Sequence, residues 1–267
     1  MTTFRAVFPA CKPIIAVVHL PPLPGFAGSP GMAELVRRAV SDAARLESGG
    51  VDGVLVENEY DRPHEVEASA ATVAAMTRIV SEVAAATPGL PVGVEILLND
   101  PRASLAVAHA SGARFIRTDY FVDRMSRPEY GGEMAIDPAG LMRFRAARGA
   151  DRVLVLADVQ VKYAAMLEPR PLEASAYEAR RHAADAIVVT GRATGAAPTR
   201  ADLDGARRGA AGTPVLIGSG LDARNAHDLL ASADGAIVGT ALQGTSGIDA
   251  AAVARLMAAV TTARTGE

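Results

Sequence analysis

The sequence predicts a (β/α)8 barrel. Eight short β-branched runs alternate with eight longer helical stretches, the 267-residue length suits one such barrel, and polar residues recur where the runs end. The strand runs are 14–19, 53–57, 92–95, 115–117, 153–158, 186–190, 215–217 and 236–238. The helical stretches are 33–47, 68–86, 102–110, 138–148, 172–184, 200–208, 223–230 and 249–260.

Local signals punctuate these elements in chain order. Ser48-Gly49-Gly50 places glycine past the end of the first helix, and Ser111-Gly112 and Arg148-Gly149 repeat the pattern after the third and fourth. Asp137-Pro138 supplies an N-cap and a first-turn proline, and Thr199 an N-cap before the sixth helix. Eight βα units in series imply right-handed crossovers and a parallel sheet that can close on itself, with an open doubly wound sheet as the competing architecture. No linker or low-complexity segment divides the chain, so 1–267 reads as a single barrel domain. The long loops 20–31, 120–136 and 162–171 all follow strands, on the face where barrels keep their chemistry.

Composition narrows the function. A net charge of −3 offers no basic surplus, which argues against a nucleic-acid partner. The single cysteine, Cys11, rules out an intrachain disulfide and reads as a small buried hydrophobe in a reducing, cytoplasmic setting. The apolar stretch 14–20 is too short for an integral membrane segment, and Pro21, Pro22 and Pro24 follow it where a signal peptide would carry small residues.

Alternate residues of a barrel strand face inward, so a polar residue at the inward end of a strand needs a reason. His19 is in phase with Ile15 and Val17, Glu57 with Leu55, Glu95 with Gly93, and Arg117 and Asp119 with Phe115. Asp158, Gln160 and Lys162 share one parity, and Thr190 ends the sixth run. Such a ring can shift pKa values in both directions, as acid–base chemistry requires, or can plug the barrel mouth as a structural ion-pair layer. His19, Glu57, Glu95, Arg117, Asp119, Asp158 and Lys162 are therefore the candidate catalytic residues, with Asn58, Asn99, Gln160 and Thr190 as substrate-binding groups. Lys162 has three readings: Schiff-base nucleophile, cation for a substrate anion, or salt-bridge partner of Asp158. Glu57, Glu95, Asp119 and Asp158 also offer oxygen ligands to a cation such as Mg²⁺. Zinc is disfavoured because only His19 ends a strand; His64, His109, His182 and His227 read as structural or surface residues.

An anion site is predicted after the last two strands. Gly218-Ser219-Gly220 follows the seventh, ahead of a helix, and Gly239-Thr240 follows the eighth. Glycine lets backbone N–H groups approach a phosphate, and a helix N-terminus adds its dipole. Gly191, within Thr190-Gly191-Arg192-Ala193-Thr194-Gly195, is a weaker addition.

Several of these strand ends resemble the BtpA/SgcQ family. The resemblance rests on Lys12 to Ile15, Val18-His19-Leu20-Pro21-Pro22-Leu23-Pro24-Gly25, Asp52 to Asn58, Asn99-Asp100, Phe115-Ile116-Arg117, Ala157-Asp158-Val159-Gln160-Val161-Lys162, Ile187 to Gly191, and the two glycine motifs. It implies a barrel of the phosphate-binding type and no settled reaction. The family takes its name from a factor for photosystem I accumulation, and other members lie near sugar-utilisation genes. Tyr163 and Gln160 stand where the family commonly has histidine, and residues 120–133 depart from its usual segment, which implies a different substrate or reaction.

Two functions follow. One is a self-associating enzyme that acts on a phosphorylated sugar or sugar-nucleotide-like molecule by isomerase or lyase chemistry, with glycosidic bond chemistry behind it. The other is a non-catalytic assembly or stability factor for a protein complex.

Overall fold

The computed structural model describes residues 2–193 and 195–265. Its eight parallel strands are β1 (Ile14–His19), β2 (Gly53–Glu57), β3 (Val92–Glu95), β4 (Phe115–Thr118), β5 (Leu154–Val159), β6 (Ala186–Val189), β7 (Val215–Ile217) and β8 (Gly235–Val238). Each pairs with its sequence neighbours, and β1 pairs with β8 through Ile14↔Ala236 and Ile15↔Ile237, so the sheet closes. The helices α1 (Met32–Ser48), α2 (Ala70–Ala86), α3 (Pro101–Ser111), α4 (Pro138–Ala147), α5 (Leu172–Arg181), α6 (Arg200–Ala210), α7 (Ala226–Leu230) and α8 (Ala250–Thr265) follow the strands in turn.

Two-residue alternation divides the core as expected. Ile14, Ala16, Val18, Val54, Val56, Ile116, Val155 and Ile187 pack outward among the helices. Ile15, Val17, Leu55, Phe115, Leu154, Leu156, Val188, Leu216 and Ile237 fill the barrel interior. The N-terminal helix Phe4–Val7 was not anticipated. It joins the interior cluster with Phe8, whose ring meets Phe115 edge-on at 5.4 Å, and so closes the end opposite the strand C-termini.

The caps behave as the sequence suggested. Asp137 accepts from the Gly140 N–H at 2.8 Å ahead of α4, and Thr199 forms a capping box with Asp202 ahead of α6. The seventh helix is a correction: it starts at Ala226 and not at 223. Asp222 Oδ1 accepts from the Arg224 N–H and Asn225 Oδ1 from the Asp222 N–H, and this side-chain-to-backbone turn displaces the first helical turn. The long loops after β4 and β5 are also more ordered than expected. Met125–Arg127, Gly132–Met134 and Ala165–Met166 form a three-stranded antiparallel sheet over the rim, packed on Leu98, Tyr120 and Val161. Cys11 is exposed, contrary to its reading as a buried residue. No helix among the described residues is long and apolar enough to cross a membrane.

Because Phe115 is fully buried between the interior layers and Phe8, Phe115→Ala should cost about 3–5 kcal/mol in urea denaturation. A loss below about 1 kcal/mol would mean that this layer collapses to fill the space.

Candidate active site

Arg117 points into the barrel from β4, and three carboxylates from three other strands meet it. Its Nε donates to Asp158 Oδ2 at 2.8 Å and its Nη2 to Asp158 Oδ1 at 2.9 Å, a bidentate pair with β5. Nη1 lies 3.4 Å from Glu57 Oε1 on β2, and Nε 3.7 Å from Glu95 Oε2 on β3. All four side chains are buried.

This crowding separates the acidities. Burial alone would lower the Arg117 pKa, but Asp158, Glu95 and Glu57 hold it well above its usual value. Burial, joined by the charges of Glu57, Asp119 and Asp158, drives Glu95 well above the usual carboxylate range despite Arg117. Burial also opposes ionisation of Glu57, yet Arg117, His19, a hydrogen bond with Glu95 and Lys162 together pull it below that range. Glu95 is thus the carboxyl whose acidity is pushed down by burial and like charge, and Glu57 beside it the one pulled the other way.

Directly above lies a cavity of about 490 Å³. His19, Glu57, Arg117, Asp119 and Lys162 line it together with Gly218, Ser219, Gly220, Gly239 and Thr240, so the predicted acid–base groups and both glycine loops face one space. Burial, then the charge of Asp158, raises the Asp119 pKa to about 7, against the pull of Arg117 and Lys162. His19 Nε2 sits 3.6 Å from Glu57 Oε2.

The glycines have specific reasons. A Cβ on Gly239 would fall 2.9 Å from His19 Cε1, and one on Gly218 would press into Val188 and Thr190, so these positions admit no side chain. Among the described residues the N–H groups of Ser219, Gly220 and Leu221 have no hydrogen-bond acceptor, which suits an anion. The helix-dipole contribution expected here is absent, because α7 begins five residues beyond Leu221. The Ser219 hydroxyl is engaged as well: it accepts from the Gly191 N–H at 2.8 Å and donates to the Ala196 carbonyl at 2.7 Å. Gly191 therefore locks two loops together and does not line the cavity, and Thr194 of the same motif lies outside the described residues.

Other assignments change with the geometry. Glu95 and Asp158 lie below the cavity and position Arg117. Gln160 leaves its expected parity because its φ of 50° ends the extended strand; its Nε2 donates to Ser175 Oγ and the Arg170 carbonyl. Asn58 ties loops together through Asp61 and the Leu97 N–H. Asn99 lies at a separate hollow beside α3, and Thr190 is absent from the cavity wall. Lys162 makes no salt bridge to Asp158, whose carboxylate is taken by Arg117. Of the four carboxylates offered to Mg²⁺, Glu57, Glu95 and Asp158 gather on that guanidinium instead, and the described residues contain no group of three His, Cys, Asp or Glu side chains able to hold a metal ion. The sequence reading missed Glu59, Arg62, His64 and Tyr130 as cavity residues and gave Arg127 no site role. The charge-dense stretch after β2, Glu57 to His64, was the available signal.

A family model for the BtpA family matches residues 10–262. The chain belongs to the BtpA family. It is 38% identical over 200 residues to the photosystem I biogenesis protein BtpA of Synechocystis, covering 74% of this chain and 68% of that protein. It is 36% identical over 184 residues to an uncharacterized protein of Archaeoglobus fulgidus, covering 69% and 72%. Among solved structures, (S)-3-O-geranylgeranylglyceryl phosphate synthase from Thermoplasma acidophilum superposes with a TM-score of 0.63 at 16% identity, over 97% of this chain and 99% of that one. Tryptophan synthase from Mycobacterium tuberculosis gives 0.62 at 19% identity, again over 97% and 99%. These two likenesses establish the BtpA-family chain as a TIM barrel in fold.

Replacing Arg117 by methionine would leave buried carboxylates without their counter-charge and should cost about 3–5 kcal/mol at neutral pH. The deficit in denaturation midpoints should shrink at pH 5, where protonation neutralises those groups. A deficit independent of pH would assign the loss to packing.

Proposed function

We propose that this chain is an enzyme that binds a phosphorylated, sugar-like molecule across the cavity and moves a proton on it, in isomerase or lyase chemistry. The observation that carries this reading is Asp119: a carboxyl with a pKa of about 7 in the same cavity as two glycine loops. A group half-protonated near neutral pH can act as base in one step and acid in the next. The unpaired N–H groups after β7 would hold the phosphate, and its binding energy would position the reacting carbon. Lys162 would stabilise the negative charge that develops when the proton leaves. The neighbouring fold includes a synthase whose structure holds sn-glycerol 1-phosphate, which supports a phosphorylated ligand by analogy. Glycosidic bond chemistry would use the same carboxyl groups.

The relationship to a protein named for photosystem I biogenesis favours a second reading, a non-catalytic factor that acts on a protein complex. It requires no ligand at Asp119.

Thermal-shift measurements with sugar phosphates should raise the melting temperature of the wild type, and Thr240→Glu, which adds negative charge to the cavity wall, should abolish the shift. A broad panel without any shift would favour the second reading.

Asp119 also leaves a stability signature. Its folded pKa of about 7 lies above the roughly 3.9 of an unfolded chain, so between those values the folded protein holds a proton that the unfolded chain has released. Stability from this group is therefore lost as pH rises through that window. Asp119→Asn should gain on the wild type in melting temperature from about pH 4 to about pH 7 and then run parallel. A constant difference across this range would remove the raised pKa from the argument.

A further inference from the structure

The cavity has a second wall of hydrogen-bond donors, across the mouth from the glycine loops. Arg62 and His64 follow β2 and Arg127 follows β4, so they flank β3; in a ring of eight strands β3 stands opposite β7. Arg127 is held in place by Glu129 and by the Tyr120 hydroxyl, and its guanidinium lies 5.1 Å from the centre of the Tyr130 ring. Arg62 donates through Nη1 to the Asp61 carbonyl at 2.7 Å and to His64 Nε2 at 2.6 Å.

That last contact fixes the imidazole tautomer. Arginine has no acceptor, so His64 Nε2 must accept, and in a neutral ring the proton sits on Nδ1. Burial, Arg62 and Arg127 push the His64 pKa down to about 4, which keeps the ring neutral. Nδ1 is buried and has no hydrogen-bond partner. Arg62 Nε and Arg127 Nη2 have no protein acceptor among the described residues, so together with the orphan His64 N–H this stretch of wall keeps donors that its own carboxylates do not meet.

We propose that Arg62, His64 and Arg127 form a second oxyanion subsite, so that the ligand of this cavity carries a carboxylate or second phosphate in addition to the phosphate at the glycine loops. The proposal rests on the phosphate-ester reading above and narrows it to doubly anionic compounds. Glu59 and Glu129 are the carboxylates nearest these arginines. Glu59 shares the cavity wall and lies 3.5 Å from Arg62 Nη2, and Glu129 Oε1 accepts from Arg127 Nε at 2.5 Å, so each arginine has one carboxylate neighbour and offers a ligand its remaining N–H groups. With one anionic group at each end, the middle of the ligand would pass over Asp119 and Lys162.

Titration calorimetry with matched probes tests this. Ribose 5-phosphate is compared with ribulose 1,5-bisphosphate, and glycerol 3-phosphate with 3-phosphoglycerate. The doubly anionic member of at least one pair should bind the wild type roughly tenfold tighter or more. Arg62→Gln, an exposed position where folding is safe, and Arg127→Gln should each reduce that advantage while leaving the singly anionic probe unchanged. Gain in the bisphosphate pair alone assigns the subsite to phosphate, and gain in the glycerate pair alone to carboxylate. Equal affinities within both pairs, or an advantage that survives both substitutions, would overturn the second subsite and leave the phosphate reading standing. No binding by any of the four esters would overturn both.

Discussion

The structure turns on one buried cation. Taking a guanidinium out of water costs several kcal/mol, and the barrel interior offers it no solvent in return. Asp158 compensates with a bidentate pair, and Glu57 and Glu95 complete the surround from two further strands. The charges come from β2, β3, β4 and β5, so they meet only when those strands hold their register. Ring closure and site electrostatics are therefore one constraint. Three carboxylates around one cation also cannot all ionise cheaply, and the excess appears as a Glu95 pushed well above the usual carboxylate range below the cavity and a raised Asp119 on its wall. Burial first, and then the charge of Asp158 in this layer, raise the pKa of Asp119 on the cavity wall.

The glycine loops belong to the same arrangement. Gly239 leaves room for the His19 ring, which also neighbours Glu57 and Tyr60, and a side chain at Gly218 would crowd Val188 and Thr190 beside Arg117. Close approach of backbone to these residues brings the N–H groups after β7 into the cavity that Asp119 and Lys162 line. The Ser219 hydroxyl spends its hydrogen bonds on the loop after β6, which stiffens the glycine turn. A serine in such a motif can serve the loop as fully as it would serve a ligand, and only coordinates separate the two uses.

What the sequence revealed and what it hid follow from how far each signal reaches. Strand parity is set by a two-residue period, so the inward course of His19, Glu57, Glu95, Arg117 and Asp119 could be read directly from Ile15, Leu55, Gly93 and Phe115. The caps at Asp137 and Thr199 are equally local. Parity fails where the strand stops: Gln160 takes a left-handed φ and turns away, while Lys162 reaches the cavity from the loop beyond it. The helix after β7 was misplaced because Asp222 and Asn225 compete for backbone N–H groups, a contest that apolar periodicity does not register. Arg62, His64 and Tyr130 were missed because they reach the cavity through loops, and the small sheet that carries Arg127 pairs segments some forty residues apart.

The division between strand ends and loops separates what strand register fixes from what is free to vary. Glu57, Arg117, Asp119 and Asp158 are fixed by strand register, and altering one disturbs the ionisation of the others. Arg127 and Tyr130 sit on the loop that follows β4, and Tyr163 on the loop that follows β5, and all three line the cavity. A loop can change length and charge at little cost to the barrel, whereas the buried cluster cannot. On the proposed reading, the family would keep its proton-handling floor and vary the wall that selects the ligand.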